Sequence, residues 1–230
     1  MKASSSLKSV LEGVTPGDFT NITKKEFNIV ITRFNEDLAW TRGLEHLCTV
    51  YNKGSHFNFD GEVINVPNHG VGCETLLRHV RDRYWKLADR TFFCQATLCD
   101  RVDQPLYPLT EYMKCPVDSV FGYKEELNEV PKSRFLFRIS NESCRSVGDV
   151  NFGQWRRQIG LPYKPAYESW VKGDWICVGR ERVWKRPLEF YKGLYETCQF
   201  NRGILVEECW FLERTFYTVF DGKNLTWGYG

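Results

Sequence analysis

The most constraining feature of the sequence is the run FNIVIT at residues 27–32, which apolar and β-branched side chains dominate. A strand with one wet face alternates apolar and polar side chains, and this run shows no such alternation. The run is therefore typical of a strand buried on both faces, as in a parallel sheet covered by helices. Because parallel strands need long crossover connections, the run predicts an α/β fold.

Composition narrows the class further. The chain has 230 residues, of which 42% are hydrophobic and 15% aromatic, so it can bury a sizeable core. A net charge of +2 argues against a protein that mainly coats nucleic acid or an anionic membrane. No apolar run approaches the ~18 residues of a membrane span, and residues 1–14 lack the apolar stretch of a signal peptide. The nine cysteines contain no C-x-x-C pair, and we expect buried, reduced thiols in a cytoplasmic protein.

The order of predicted elements supports one α/β domain with a mostly parallel central sheet flanked by helices. Residues 1–25 read as a leader, and residues 26–230 as the single domain. We expect loops and short helices at 100–133 and a half-exposed strand at 133–139. The other predicted strands are 27–32, 48–51, 62–66, 90–95 and 174–178, and the predicted helices are 74–88, 187–197 and 205–220.

Polar residues crowd the loops that follow the predicted parallel strands. Ligands of open α/β sheets bind at the carboxyl ends of the strands, so these loops predict a binding crevice. Each loop also admits a purely structural interpretation, because Asn and Gly are ordinary turn formers. The candidate binding residues are Arg33, Asn35, Glu36, Asn52, Lys53, His69 and Gln95.

Familiar cofactor and nucleophile motifs are absent. The sequence has no G-x-G-x-x-G, no P-loop, no G-x-S-x-G elbow and no H-E-x-x-H. A thiol enzyme that uses Cys94 or Cys99 with His69 is an alternative, although no Cys-His signature accompanies these residues.

Several segments together resemble an uncharacterised, mainly fungal family labelled a domain of unknown function. The match runs in patches over residues 27–221 and is most specific in the first half. The segments are RFNEDLAW at 33–40, VYNKG at 50–54, VPNHG at 66–70, LADRTFF at 87–93, VGRERV at 178–183 and LER at 212–214. That family is in turn similar to nucleotide-sugar glycosyltransferases of the GT-A type.

The resemblance implies a GT-A-like, Rossmann-like domain that acts as a hexosyl- or pentosyltransferase. Its donor would be a nucleotide diphosphate sugar and its acceptor a glycan or another hydroxyl. Most GT-A enzymes hold Mn²⁺ or Mg²⁺ with an Asp-x-Asp motif, and this sequence has none. Asp100 and Asp103 are the substitute metal ligands, since hard cations prefer carboxylate oxygens. The alternative is neutralisation of the diphosphate by Arg33, Lys53, Arg180 and Arg182.

The acid candidates lie in the predicted last helix. At about 100° per residue, Glu208 falls beside the apolar stripe, Glu213 borders its other edge, and Glu207 points to solvent. Metal-independent branching glycosyltransferases carry an acidic pair before an aromatic-rich helix, and Glu208 is the best match to their base. Direct displacement with such a base inverts the anomeric carbon. The alternatives are a structural salt bridge for these acids, and a catalytically inactive module that binds a sugar or a protein.

Overall fold

The computed structural model describes residues 19–97, 106–113, 116–118, 120–126, 144–145, 152–161, 169–199, 205–213 and 215–221. The strands are β1 Phe27–Arg33, β2 Cys48–Asn52, β3 Glu62–Asn65, β4 Arg90–Gln95, β5 Val120–Glu126, β6 Cys144–Arg145, β7 Ser169–Gly179 and β8 Leu205–Val206. The helices are α1 Val71–Arg83, α2 Leu106–Met113, α3 Phe152–Gln158, α4 Arg180–Val183, α5 Leu188–Gln199, α6 Glu207–Glu213 and α7 Phe216–Asp221. Short 3₁₀ turns lie at Ala39–Thr41, Glu45–Leu47 and Tyr84–Lys86.

Six strands form the main sheet in the order β3-β2-β1-β4-β7-β5. β1 pairs in parallel with β2 and with β4, and β2 pairs in parallel with β3. β7 is antiparallel to both β4 and β5, so five of the six strands run in one direction. The expectation of an α/β protein with a mostly parallel sheet and flanking helices is confirmed.

Alternate residues of the central strands enter two separate cores, one on each face of the sheet. In β1, Val30 belongs to the first core, whereas Ile29 and Ile31 belong to the second. β4 repeats the pattern, with Phe93 in the first core and Phe92 in the second. This alternation explains why residues 27–32 lack a polar face, as the sequence predicts.

The two cores are covered by different elements. Helices α1, α5, α6 and α7 cover the first core with side chains such as Leu76, Leu194 and Leu212. The second core is covered by the segment before β2 and by α2, through residues such as Leu44 and Leu109. Both faces of the sheet are thus covered. The edges of the sheet are therefore where a ligand could bind.

Three expectations need correction. The predicted 74–88 helix begins three residues earlier, at Val71, and gives way to a 3₁₀ turn at Tyr84. The predicted loop region 100–133 contains strand β5, which the antiparallel pairing with β7 stabilises. The predicted 205–220 helix is divided into β8, α6 and α7, and Thr215 marks the break, where its hydroxyl donates to Leu212 O at 2.9 Å. The predicted strand at 133–139 lies outside the described residues.

The packed part of the chain begins before the predicted boundary at residue 26. Phe19 is fully buried in the second core, and Lys24 Nζ forms an ion pair with Glu62 Oε2 at 2.8 Å. Residues 19–25 therefore belong to the domain. None of the helices described is long and apolar enough to cross a membrane.

Candidate functional site

Arg33, at the end of β1, is held by groups of the protein itself. Its Nε donates to Glu36 O at 2.9 Å, and one terminal nitrogen donates to Asn52 Oδ1 at 2.8 Å. The guanidinium also lies 3.8 Å from the centre of the Phe57 ring, a cation–π distance. With 7% of its surface exposed, Arg33 mainly joins the loops after β1 and β2.

The two loops fit together without space between them. Glu36 Oε2 accepts hydrogen bonds from the backbone N–H groups of Phe34 at 2.6 Å and Asn35 at 3.1 Å. Asn35 Oδ1 accepts from Ser55 N at 2.9 Å. A Cβ atom at Gly54 would lie 1.3 Å from Phe34 O, so only glycine fits there. Asn35, Glu36 and Asn52 are therefore positioned together, and they shape this edge of the sheet.

Lys53 forms a buried ion pair that the sequence did not reveal. Its Nζ lies 3.0 Å from Glu74 Oε2, and the side chains are 2% and 0% exposed. The same ammonium donates to His69 O at 2.7 Å and to Val71 O at 2.6 Å, which uses its three N–H donors. Arg78 Nε donates to the other Glu74 oxygen at 2.7 Å. Lys53 thus anchors the start of α1 and has no donor left for a diphosphate.

His69 joins the same network from the loop after β3. Its Nε2 lies 2.7 Å from Gln199 Oε1, at the end of α5. Gln199 Nε2 in turn lies 3.5 Å from Glu74 Oε1. His69 is therefore near Lys53, as the sequence predicts, and it contacts α5 rather than a thiol.

Three buried thiols lie behind this loop. Cys209 Sγ, in α6, donates to Gly70 O at 3.2 Å and lies 4.0 Å from Cys198 Sγ. Cys73 Sγ donates to Cys209 O at 3.0 Å. Hydrogen bonding with Cys198 and Cys73 lowers the pKa of the Cys209 thiol. These contacts hold α6 against the turn that begins α1.

That turn has an uncommon backbone conformation. Gly70 has φ 67° and Val71 has φ 40°, and a β-branched residue rarely adopts a positive φ. Lys53 and Cys209 bind carbonyl groups on either side of it, which compensates for the strain. Strained backbone held by many contacts is a feature of ligand sites.

The acid candidates are on α6. Glu208 precedes Cys209, so its backbone lies on the helix that packs against the Gly70 turn. Glu213, the last residue of α6, is half-buried. The side chains of Glu207 and Glu208, and residues Asp100 and Asp103, lie outside what the structure describes.

Arg180 and Arg182 do not join the residues at the carboxyl edge. Because β7 runs antiparallel to β4, Gly179 pairs with Arg90 at the amino-terminal edge of the sheet, and α4 starts there. Arg180 forms an ion pair with Asp89 at 2.8 Å. The expectation that both arginines line the same crevice as Arg33 is corrected by the direction of β7.

The order in which strands are added to the sheet reverses at β1, which gives a topological switch point between β1 and β4. β2 and β3 are added on one side of β1, and β4 on the other. Gln95 ends β4 opposite Thr32 of β1, and Trp40 Nε1 donates to Ala96 O at 3.0 Å beside it. The Phe34 side chain follows β1 and is 47% exposed. An exposed aromatic ring thus follows β1 at the carboxyl edge, the edge where open α/β sheets bind ligands.

Among the described residues, no three His, Cys, Asp or Glu side chains are grouped so that they could hold a metal ion. Sequence reasoning missed Glu74 and the three thiols as part of this edge. The spacing of Glu74 and Arg78 predicts an i, i+4 ion pair on a helix. The residues around Glu74 in the sequence do not indicate that Lys53 also binds it.

Fold and site together define an open α/β protein whose topological switch point lies between β1 and β4, the candidate position for a ligand. No family model, curated protein or solved structure matches the chain.

Proposed function

We propose that the protein is a glycosyltransferase that moves a sugar from a nucleotide diphosphate sugar to an acceptor hydroxyl. The observation that carries the proposal is the switch point between β1 and β4, with the exposed Phe34 ring directly after β1. Crevices at such points bind nucleotides in other open α/β sheets. The donor sugar is inferred from the patchwise resemblance of residues 27–221 to an uncharacterised family that is in turn similar to GT-A enzymes.

The nucleotide base would stack on Phe34, and Gln95 would contribute polar recognition at the end of β4. The flat face of an exposed aromatic ring suits any base, and stacking on such a ring is worth about 1–3 kcal/mol. Arg33 would act indirectly, since it fixes the loop that carries Phe34.

Glu208 would remove the proton from the acceptor hydroxyl as that oxygen attacks the anomeric carbon. The bond from this carbon to the diphosphate breaks on the opposite side, and the configuration inverts. A positioned base contributes typically about 10²–10⁴-fold to the rate. The anchoring of α6 by Cys209 supports this role, because a base must keep its position.

A bound Mn²⁺ or Mg²⁺ would neutralise charge on the donor diphosphate, and Asp100 and Asp103 are the residues that would hold it. Hydrogen-bond donors of the protein can provide the same neutralisation.

A catalytically inactive binding module is the second candidate. The observation in its favour is the internal engagement of Arg33 and Lys53, the cations that the resemblance assigns to the diphosphate. Such a module would use the same crevice for a sugar or a protein, without transfer.

Titration calorimetry with uridine and guanosine diphosphates and their sugars, with and without Mn²⁺, tests the proposal. Phe34→Ala should weaken binding roughly tenfold, as expected for a lost stacking contact. Trp85→Ala is the matched control, because Trp85 is 75% exposed and follows α1, away from the crevice. Binding with slow donor hydrolysis supports the enzyme, and binding without any turnover supports the module. Absence of binding to all donors would refute the glycosyltransferase and favour a module that recognises another ligand.

A further inference from the structure

A cavity lies at the amino-terminal edge of the sheet, opposite the candidate site. Its volume is about 220 Å³, and we call it the amino-edge cavity. It lies beside the first residues of β1, β2 and β3 and the end of α1. Its lining includes Lys24, Lys25, Asn28, His79, Arg83 and Lys86. At ~30 Å³ per water, this volume holds about seven waters or one small molecule.

Positive charge dominates the lining. Four cationic side chains face one carboxylate, that of Glu62. Glu62 is already neutralised, because Oε2 accepts from Lys24 Nζ at 2.8 Å and Oε1 accepts from Arg83. Lys25 and Lys86 form no ion pair among the described residues. The cavity therefore keeps a surplus of positive charge that its own carboxylate does not balance.

The floor of the cavity adds buried polar groups with unused hydrogen-bonding capacity. Asn28 is 6% exposed, and its Oδ1 accepts from Thr49 Oγ1 at 3.2 Å. Within the described part of the chain, its Nδ2 has no hydrogen-bond partner, so two N–H donors are left. The Nδ2 group can therefore donate to water or to a ligand in the cavity.

His79 is the second such group. It is 2% exposed, and within the described ranges the Tyr51 hydroxyl is its one hydrogen-bond partner, 3.2 Å from Nδ1. Burial, together with the positive charge of Arg83, lowers the pKa of His79 to about 3, so the ring is neutral. Burial raises the pKa of the Tyr51 hydroxyl, which keeps its proton and can therefore donate to Nδ1. In that tautomer the ring proton resides on Nε2, which becomes a further donor.

We propose that the amino-edge cavity binds the phosphate group of a small phosphate monoester. A phosphate carries about −1.5 to −2 charge at pH 7 and three acceptor oxygens. Lys25 and Lys86 match the charge, and Asn28 Nδ2 and His79 Nε2 match the acceptors. A monocarboxylate would leave most of the positive charge unbalanced. This site is independent of the proposed transferase activity, which uses the carboxyl edge.

Calorimetry with inorganic phosphate, a hexose 6-phosphate and the free hexose tests the assignment. Both phosphates should bind saturably and the free hexose should not. Tighter binding of the hexose phosphate would identify a monoester as the ligand, and equal binding would identify the free ion and overturn that part of the proposal.

Two lysine pairs provide a charge-matched comparison. Lys25→Ala with Lys86→Ala should weaken phosphate binding roughly tenfold or more. Lys185→Ala with Lys192→Ala removes the same charge from exposed positions outside the cavity and should leave binding unchanged. Asn28→Asp, which keeps the size of the side chain and repels an anion, should abolish binding.

Two results would overturn the proposal. One is the absence of saturable binding of either phosphate up to about 10 mM. The other is an equal loss of binding in the two double variants, which would reduce the effect to overall charge. Phe34→Ala should not change hexose phosphate binding, so failure here is distinguishable from failure of the donor site.

Discussion

At the scale of single residues, the ion pair of Lys53 and Glu74 dominates the carboxyl edge. Burial of an unpaired charge is costly, so each partner depends on the other. The pair is enclosed completely, and Arg78 adds a second cation on the remaining Glu74 oxygen. We interpret this group as the support of the Gly70 turn rather than as a contact for substrate.

Glu74→Gln should lower the free energy of unfolding by about 3 kcal/mol or more. The amide keeps the shape of the carboxylate but leaves the Lys53 ammonium buried without a counter-charge. Urea denaturation at neutral pH measures the change. Glu189→Gln is the control, because Glu189 pairs with Lys192 at 3.5 Å on the surface and such pairs contribute little. Similar losses in both variants would contradict the assignment.

Glu62 should make stability depend on acid pH. Its burial raises the pKa, but the hydrogen bond and charge of Lys24 and the charge of Arg83 outweigh that effect and lower the pKa from 4.5 to about 2. A carboxylate with a lowered folded-state pKa stabilises the protein above the unfolded value, and this contribution is lost as the pH falls. The loss should therefore occur between pH 4.5 and about 2.

Urea midpoints measured across this pH range provide the test. Glu62→Gln should flatten the acid limb of the stability profile, since the variant has no carboxylate to protonate there. Glu196→Gln, at an exposed position on α5, should keep the wild-type slope. An unchanged slope in Glu62→Gln would show that other groups determine the acid limb.

At the scale of elements, the loops after β1 and β2 behave as one unit. Gly54→Ala should cost about 3 kcal/mol or more, because the new Cβ would overlap the Phe34 carbonyl, a backbone atom that cannot move alone. Gly193→Ala is the matched control on α5, where nothing lies within 4 Å of the added atom. That change should stabilise the protein by about 0.5–1 kcal/mol, the helix preference of alanine over glycine. Thermal denaturation of both variants distinguishes them, and equal effects would rule out the contact.

The sequence predicts the elements whose burial is locally visible. Residues 27–32, 48–51 and 90–95 are strands because their apolar runs fill both cores. Strand β5 could not be predicted, because its residues Val120–Glu126 are stabilised by pairing with β7 rather than by an apolar pattern of their own. The direction of β7 also depends on distant pairing, and for that reason the location of Arg180 could not be predicted.

The candidate site is predictable to a similar extent. The loops that meet at the carboxyl edge follow from parallel pairing, and Arg33, Asn35 and Asn52 do lie together. Their engagement with one another could not be predicted, because an arginine on a loop can equally face a ligand or its own backbone. Only the three-dimensional contacts, those of Arg33 with Asn52 and of Lys53 with Glu74, separate these two roles.

At the scale of the whole molecule, the sheet has two chemically different edges. The carboxyl edge presents the Phe34 ring and internally paired charges, whereas the amino edge presents a cavity in which Lys25 and Lys86 have no ion-pair partner among the described residues. Helix α1 extends between them, from the Gly70 turn to Arg83, which lines the cavity. A ligand in the amino-edge cavity would therefore contact the end of this helix at Arg83, and the Gly70 turn supports its other end.

Glu208, the base of the proposed transfer, can be tested by a substitution that preserves its size. Glu208→Gln keeps the size of the side chain and removes the proton acceptor, so turnover should fall roughly 10²-fold or more. Donor affinity and the free energy of unfolding should hardly change, because Cys209 and the apolar residues of α6 anchor the helix. Steady-state kinetics and calorimetry measure these quantities, and Glu207→Gln serves as the neighbouring control with little effect expected. Normal turnover in Glu208→Gln, together with a loss in Glu213→Gln or Asp100→Asn, would assign the base elsewhere. A loss of more than about 1 kcal/mol in stability with turnover unchanged would make Glu208 a structural partner.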